Sequence, residues 1–172
     1  FIASQSLIDD KAGNYTLVRG FTNEMKELGI RVESLNVKIR VTHADSSIAS
    51  YLHTEPGTKI IELKRLRGTS GTPIGFFVTY FKFQPFFSTN AADYQGSFYE
   101  YLESLGYQIA NEREVVEALL PTKELCQVFK IAQNTPVLRR SRFTSDSKKD
   151  FYEFTDCFYI ATKYKYFIDF QK

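Results

Sequence analysis

TKIIELKRLRGTSGTPIGFFVTYFKF, residues 58–83, is the stretch that decides the fold. Two runs rich in β-branched and aromatic residues flank the segment Gly68-Thr69-Ser70-Gly71. Runs of this kind around a glycine-containing turn read as a β-hairpin. The first strand is expected from Thr58 to Arg67 and the second from Pro73 to about Phe83. A period of two puts Ile61, Leu63, Arg65 and Arg67 on one face of the first strand. Ile61 and Leu63 suit a core, so two arginines extend an apolar face. Like charges side by side repel unless an anion or carboxylates lie between them. Either the arginines line a pocket and grip an anionic ligand with their fork geometry, or they lie at the rim of the sheet and pair with Glu or Asp. Alternation alone does not choose between the two.

Working outward, a helix near Asp45 to His53 precedes the hairpin, with Asp45 as N-cap and Glu55-Pro56-Gly57 as the turn. The same order returns further along. IASYLHTEPGTKIIELKR (48–65) is echoed by LCQVFKIAQNTPVLRRSR (125–142), 77 residues on. Ile48 maps to Leu125, Leu52 to Phe129, Ile60 to Val137 and Arg65 to Arg142. Two related helix–hairpin halves sharing one antiparallel sheet are the simplest reading, which makes the fold class α+β. Between and around them lie a short helix from Gly20 to Gly29, an alternating strand over 35–42, and a capping box Ser97-Phe98-Tyr99-Glu100 opening a helix that stops at Gly106. A strand over 113–120, a helix from Thr122 to about Lys130, and strands over 137–144, 151–160 and 164–170 complete the expectation.

The 172 residues suit one domain, and 43% hydrophobic content can fill a core. Sixteen Phe and eleven Tyr suit β-structure and a pocket that packs on a ligand. The charge balance, 22 basic against 20 acidic residues, lacks the basic stripe of a nucleic-acid-gripping surface; Arg139-Arg140 and Lys148-Lys149 are too short for one. Two cysteines are too few for a disulfide framework or a zinc site and read as reduced thiols in a cytoplasmic protein. No apolar run reaches membrane-span length, and no signal peptide is visible. The chain begins at Phe1, and residues 1–16 read as a linker arm from a missing N-terminal part.

Further binding candidates come from the same kind of reasoning. Glu153, Thr155, Cys157 and Tyr159 share one strand face, where a carboxylate and a phenol could hold ligand hydroxyls; Glu153 could equally pair with an arginine. Gly20-Phe21-Thr22 and Gly96-Ser97 place backbone N–H groups and a hydroxyl at helix starts. Catalytic signals are poor. His43 and His53 have no ligand-like spacing, and no P-loop, dinucleotide fingerprint or nucleophile elbow occurs. No cofactor or metal is expected.

VRGFTNEM (18–25), TKIIELKRLRGTSGTPIGF (58–76), SFYEYL (97–102) and FYEFTDCFY (151–159), in that order, resemble the effector-binding (UTRA) domain of the GntR superfamily of bacterial transcription regulators, HutC subfamily. The resemblance covers about Arg19 to Phe170 and implies a chorismate-lyase-like fold over 17–172. It further implies a missing N-terminal winged helix that binds operator DNA, a homodimer, a repressor role, and no enzymatic activity. A chorismate-lyase-like enzyme is the alternative, and a pure dimerisation module a third possibility if Phe76 and Phe77 fill the pocket. For members that bind phosphorylated sugars, Phe21, Thr22, Arg65 and Ser97 would surround the phosphate. Arg67, Glu153 and Tyr159 would face the sugar, with Tyr99 nearby. The effector is then a sugar phosphate or another small organic anion. Two departures stand out. Phe77 lies where many members carry a glutamate that contacts sugar hydroxyls, and Thr162-Lys163-Tyr164 replaces an Asp-Arg-Tyr.

Overall fold

A computed structural model describes residues 20–148 and 150–168. The expected arm over 1–16, Arg19, Lys149 and Phe170 lie outside the described residues. The chain runs α1 (Phe21–Glu27), β1 (Glu33–His43), α2 (Ser46–Tyr51), β2 (Lys59–Thr69), β3 (Thr72–Lys82), a 3₁₀ turn (Ala91–Tyr94), α3 (Phe98–Ser104), β4 (Ile109–Leu119), α4 (Lys123–Phe129), β5 (Val137–Asp146) and β6 (Tyr152–Ile160). The described strands form one six-stranded sheet in the order β1-β2-β3-β6-β5-β4, and neighbours pair antiparallel. The fold is α+β and of the chorismate-lyase-like kind.

The order of strands carries the repeat. Strand–helix–hairpin (β1-α2-β2-β3) is followed by strand–helix–hairpin (β4-α4-β5-β6), and the halves meet at the β3–β6 seam, where Phe77 faces Cys157 and Thr79 faces Thr155. The repeated unit is thus one strand longer than the sequence suggested. Capping repeats too: Asp45 accepts from the Ile48 N–H and Thr122 from the Leu125 N–H, while His53 and Lys130 take left-handed φ values of 52° and 54° after the two helices.

Two hydrophobic layers cover the sheet. Against one face α2 buries Ala49 and Leu52 with Ile60 and Phe154, and α4 buries Leu125 and Phe129 with Phe76 and Val137. Against the other, α3 and the 3₁₀ turn bury Phe98, Leu102 and Tyr94 on Ile61, Leu63 and Phe81. α1 closes the same face with Phe21 and Met25 on Phe77, Cys157 and Tyr159.

Three expectations are corrected. The β2–β3 turn is Ser70-Gly71, at φ 49° and 75°, because Thr69 and Thr72 still pair. Gly68 sits inside the ladder at a register shift, where a Cβ would stand 1.9 Å from the Thr72 carbonyl oxygen. β4 starts at Ile109 instead of 113, since Glu112 and Glu114 break the apolar pattern by facing inward toward arginines. Residues 164–168 are not a strand; Tyr164 stacks on Tyr159 at 3.8 Å, and its apolar ring is buried by that contact.

Candidate functional site

Arg65 and Arg67 are buried on β2, 6% and 2% exposed. Their neighbours across the sheet offer no negative charge: Arg65 pairs with Val37 on β1 and Phe77 on β3, and Arg67 with Ser34 and Gly75. Arg65 Nη1 donates to the Gly96 carbonyl at 2.9 Å, and Arg67 Nη1 to Thr22 Oγ1 at 2.7 Å. The Nε of each is buried without a hydrogen-bond partner. Among the described residues neither has a carboxylate within ion-pair distance. The rim-pairing alternative is therefore not what the fold builds. Burial, joined by the charge of Arg67, pushes the Arg65 guanidinium down to about 9. Burial also pushes Arg67 down to about 10. The two cations stand in a place that disfavours cations.

Both line a small cavity roofed by the starts of α1 and α3. Of the residues singled out from the sequence, Phe21 and Thr22 reach it from α1, Arg65, Arg67 and Phe77 from the first hairpin. Ser97 and Tyr99 reach it from the start of α3, and Glu153 from β6. Tyr99 also closes the roof, since a Cβ on Gly20 would come within 3.2 Å of its ring. Tyr159 is brought near but lies behind the wall, edge-on to Phe77 at 5.8 Å and stacked on Tyr164. Ser97 Oγ accepts from the Glu100 N–H at 3.4 Å, as the capping box requires, and keeps its own proton for another partner.

Among the described residues Glu153 forms no ion pair with an arginine. Its carboxylate accepts from Thr144 Oγ1 at 2.8 Å and from Thr155 Oγ1 at 2.5 Å, and Thr155 Oγ1 lies 2.9 Å from Thr79 Oγ1. This hydroxyl-bound carboxylate forms the polar floor. Beside it, burial raises the Cys157 thiol to about 12.

Thr155 and Cys157, placed on the same strand face as Glu153, line the cavity too, whereas sequence reasoning missed Arg142, Thr79 and Phe98. Arg142 had a signal, because it is the repeat partner of Arg65. Its surroundings differ: Nη2 lies 2.8 Å from Glu112 Oε1 and Nε 2.9 Å from Glu114 Oε1. Next to it, Arg140 pairs with Glu114 at 2.7 Å and with Glu24 of α1 at 3.1 Å, and its Nη1 meets Tyr164 Oη, which also bonds Glu24. Burial pushes the Glu112 carboxyl up to about 7. Glu114 is also buried, but its hydrogen bond with Glu112 and the charges of Arg140 and Arg142 hold it low. Among the described residues no group of His, Cys, Asp and Glu is placed to hold a metal ion, and no helix is long and apolar enough to cross a membrane.

An antiparallel sheet with a charged cavity between one face and two short helices defines a small-molecule-binding domain. The family model of the UTRA domain matches residues 27–165, and the chain belongs to that family, a class of ligand-binding domains in transcription regulation. Three solved structures share the fold. The effector domain of PhnF from Mycobacterium smegmatis is 19% identical with a TM-score of 0.79, over 89% of this chain and 96% of that one. PhnF itself gives 18% and 0.79, over 90% of this chain and 69% of that one. A GntR-family transcriptional regulator from Enterococcus faecalis V583 gives 18% and 0.70, over 80% of this chain and 99% of that one.

Proposed function

We propose that this chain is the effector-sensing domain of a GntR-type, HutC-subfamily transcription repressor, and that it binds a small anionic effector. The resemblance favours a phosphorylated sugar, with other organic anions as the wider class. Two buried arginines without a carboxylate partner, each with an unpartnered Nε at one cavity, carry this reading. Buried charge is costly unless compensated, so a bound anion is the missing partner. Thr22, Ser97 and Tyr99 would complete the anion site, with the Glu153 carboxylate on its floor orienting the rest of the ligand.

The site reads as binding and not as catalysis. A thiol raised to about 12 holds its proton at neutral pH, so Cys157 supplies no thiolate nucleophile.

Signal transmission would run through α1. The Arg67–Thr22 hydrogen bond ties the cavity to its first turn, and Glu24 ties the same turn to Arg140. The chain before α1 would lead through the arm over 1–16 to a winged helix on operator DNA. In a cytoplasmic homodimer, an effector that binds one arrangement about 1–3 kcal/mol better would shift the DNA-binding heads. A thermal-shift screen of sugar phosphates, organic acids and compact inorganic and phosphonate anions should find the effector, because a ligand at 100 times its Kd adds about 2.7 kcal/mol. Calorimetry on Arg65→Ala should then show binding abolished; an unchanged affinity would sink the assignment.

A further inference from the structure

Phe77 takes up the space that the body of a ligand would need. Its ring is 4% exposed, tilted against Phe21 at 4.8 Å and edge-on to Tyr159 at 5.8 Å. It lies back over its own strand, because a Cβ on Gly75 would come within 2.9 Å of its outer carbons. Only glycine two residues earlier lets the ring rest there. The cavity left beside it measures about 30 Å³. That is room for two or three waters, since one water needs roughly 10–15 Å³ on this scale. Pockets for drug-sized ligands run to about 300–1,000 Å³.

The donors match the small volume. Arg65 Nε and Arg67 Nε are unpartnered. Thr22 Oγ1 accepts from Arg67 and Ser97 Oγ from Glu100, so each hydroxyl has its proton free for a ligand oxygen. Two arginines of β2 and hydroxyls of α1 and α3 line one cavity, a donor set that suits the oxygens of an anion. Arg65 and Arg67 outweigh Glu153, the one carboxylate that lines the cavity, so the site is net cationic and favours an anion.

We propose that the cavity selects a compact tetrahedral dianion, such as inorganic phosphate, sulfate or a short alkyl phosphonate, and that Phe77 excludes a phosphate ester with a sugar-sized body. The inference rests on the reading that Arg65 and Arg67 hold an anion. Calorimetric titration of the chain with inorganic phosphate, sulfate, methylphosphonate and a hexose 6-phosphate tests both. At least one compact dianion should bind the wild type at least about tenfold more tightly than the hexose 6-phosphate, a gap that calorimetry resolves. Phe77→Ala and the milder Phe77→Leu should narrow or reverse that ratio. Inorganic phosphate and the phosphonate gain a proton between pH 8 and pH 5, whereas sulfate stays doubly charged, so titrations at those two values separate the sources.

A hexose 6-phosphate that binds the wild type as tightly as every compact dianion overturns the size exclusion and leaves the arginine reading standing. A selectivity ratio unchanged in both folded Phe77 variants overturns the role of Phe77. No binding by any of the four anions, to wild type or variants, overturns the arginine reading as well.

Discussion

Arg65 and Arg142 occupy equivalent positions in the two halves of the sheet, 77 residues apart, and line the same cavity. Their fates differ because of one neighbouring strand. Across from Arg142 stands Glu114 on β4; across from Arg65 stands Val37 on β1. In the second half the cation is compensated by Glu112 and Glu114, and the network extends through Arg140 to α1. In the first half the flanking strand is apolar where it faces the core, and among the described residues no carboxylate forms an ion pair with the cation. A duplicated scaffold has thus placed one arginine in an ion-pair network and left its counterpart without an ion-pair partner among the described residues. Burial is common to both, and compensation separates them.

The largest break in this comparison should come from Glu114→Ala. Glu114 compensates two buried arginines at once, and its loss leaves both without it. Removing one partner of a buried pair typically costs about 3–5 kcal/mol, and chemical denaturation should show a loss of that size. Arg65→Met should move stability the other way. It replaces an uncompensated buried cation by an apolar side chain of similar length, which should gain roughly 1–3 kcal/mol in the absence of ligand. A stability gain there, coupled with lost anion binding, is the signature of a residue kept for a ligand and not for the fold.

Much of this asymmetry could be read from the chain, but not all. The hairpin over 58–83, the caps at Asp45, Ser97 and Thr122, and the repeat itself follow from local rules: glycine at the turn, alternation in the strands, hydroxyl or carboxylate before each helix. The paired arginines were visible because alternation fixes which side chains share a face. What alternation cannot give is the partner across the sheet. Glu112 and Glu114 lie on a strand whose register with β5 is set by long-range pairing, so their inward direction contradicted the local pattern and β4 was expected to start late. Arg142 was within reach through its repeat partner, yet only the β4 register shows that it is compensated. Tyr159 was placed on the correct face, but the stacking of Tyr164, which removed the expected last strand, arises from contacts beyond local sequence.

The compensated half should also carry a pH dependence between the acid range and neutrality, where the lowered arginines of the open half stay charged. Glu112 is raised to about 7 in the folded chain from an ordinary carboxylate value near 4.5. A raised group binds more protons folded than unfolded, so its contribution is full below about 4.5 and is lost as pH rises through about 7. Glu114 is held low, so its contribution is present above about 4.5 and fades as pH falls through its depressed range. Stability followed by denaturant melts should therefore decline from about pH 4.5 toward 7. Glu112→Gln should flatten that limb, and a limb unchanged in the variant would assign it to another group.

The smallest expected effect is one in which the halves behave alike. Asp45 and Thr122 are repeat partners, 77 residues apart, and each caps a short helix through the N–H three residues on, at 2.8 Å to Ile48 and 3.3 Å to Leu125. Both helices pack on the same face of the sheet, away from the cavity. Replacing an N-cap by alanine costs about 1 kcal/mol. Asp45→Ala and Thr122→Ala should each lower stability by about that amount in denaturant unfolding, with anion binding at the cavity unchanged. Asp45 makes the shorter bond and carries a charge, so its loss should be slightly the larger. Equal, modest costs here beside opposite signs at Arg65 and Glu114 would confine the divergence of the two halves to the face that holds the cavity. If either cap variant altered anion binding, the helical layer would take part in sensing and the comparison would have to include it.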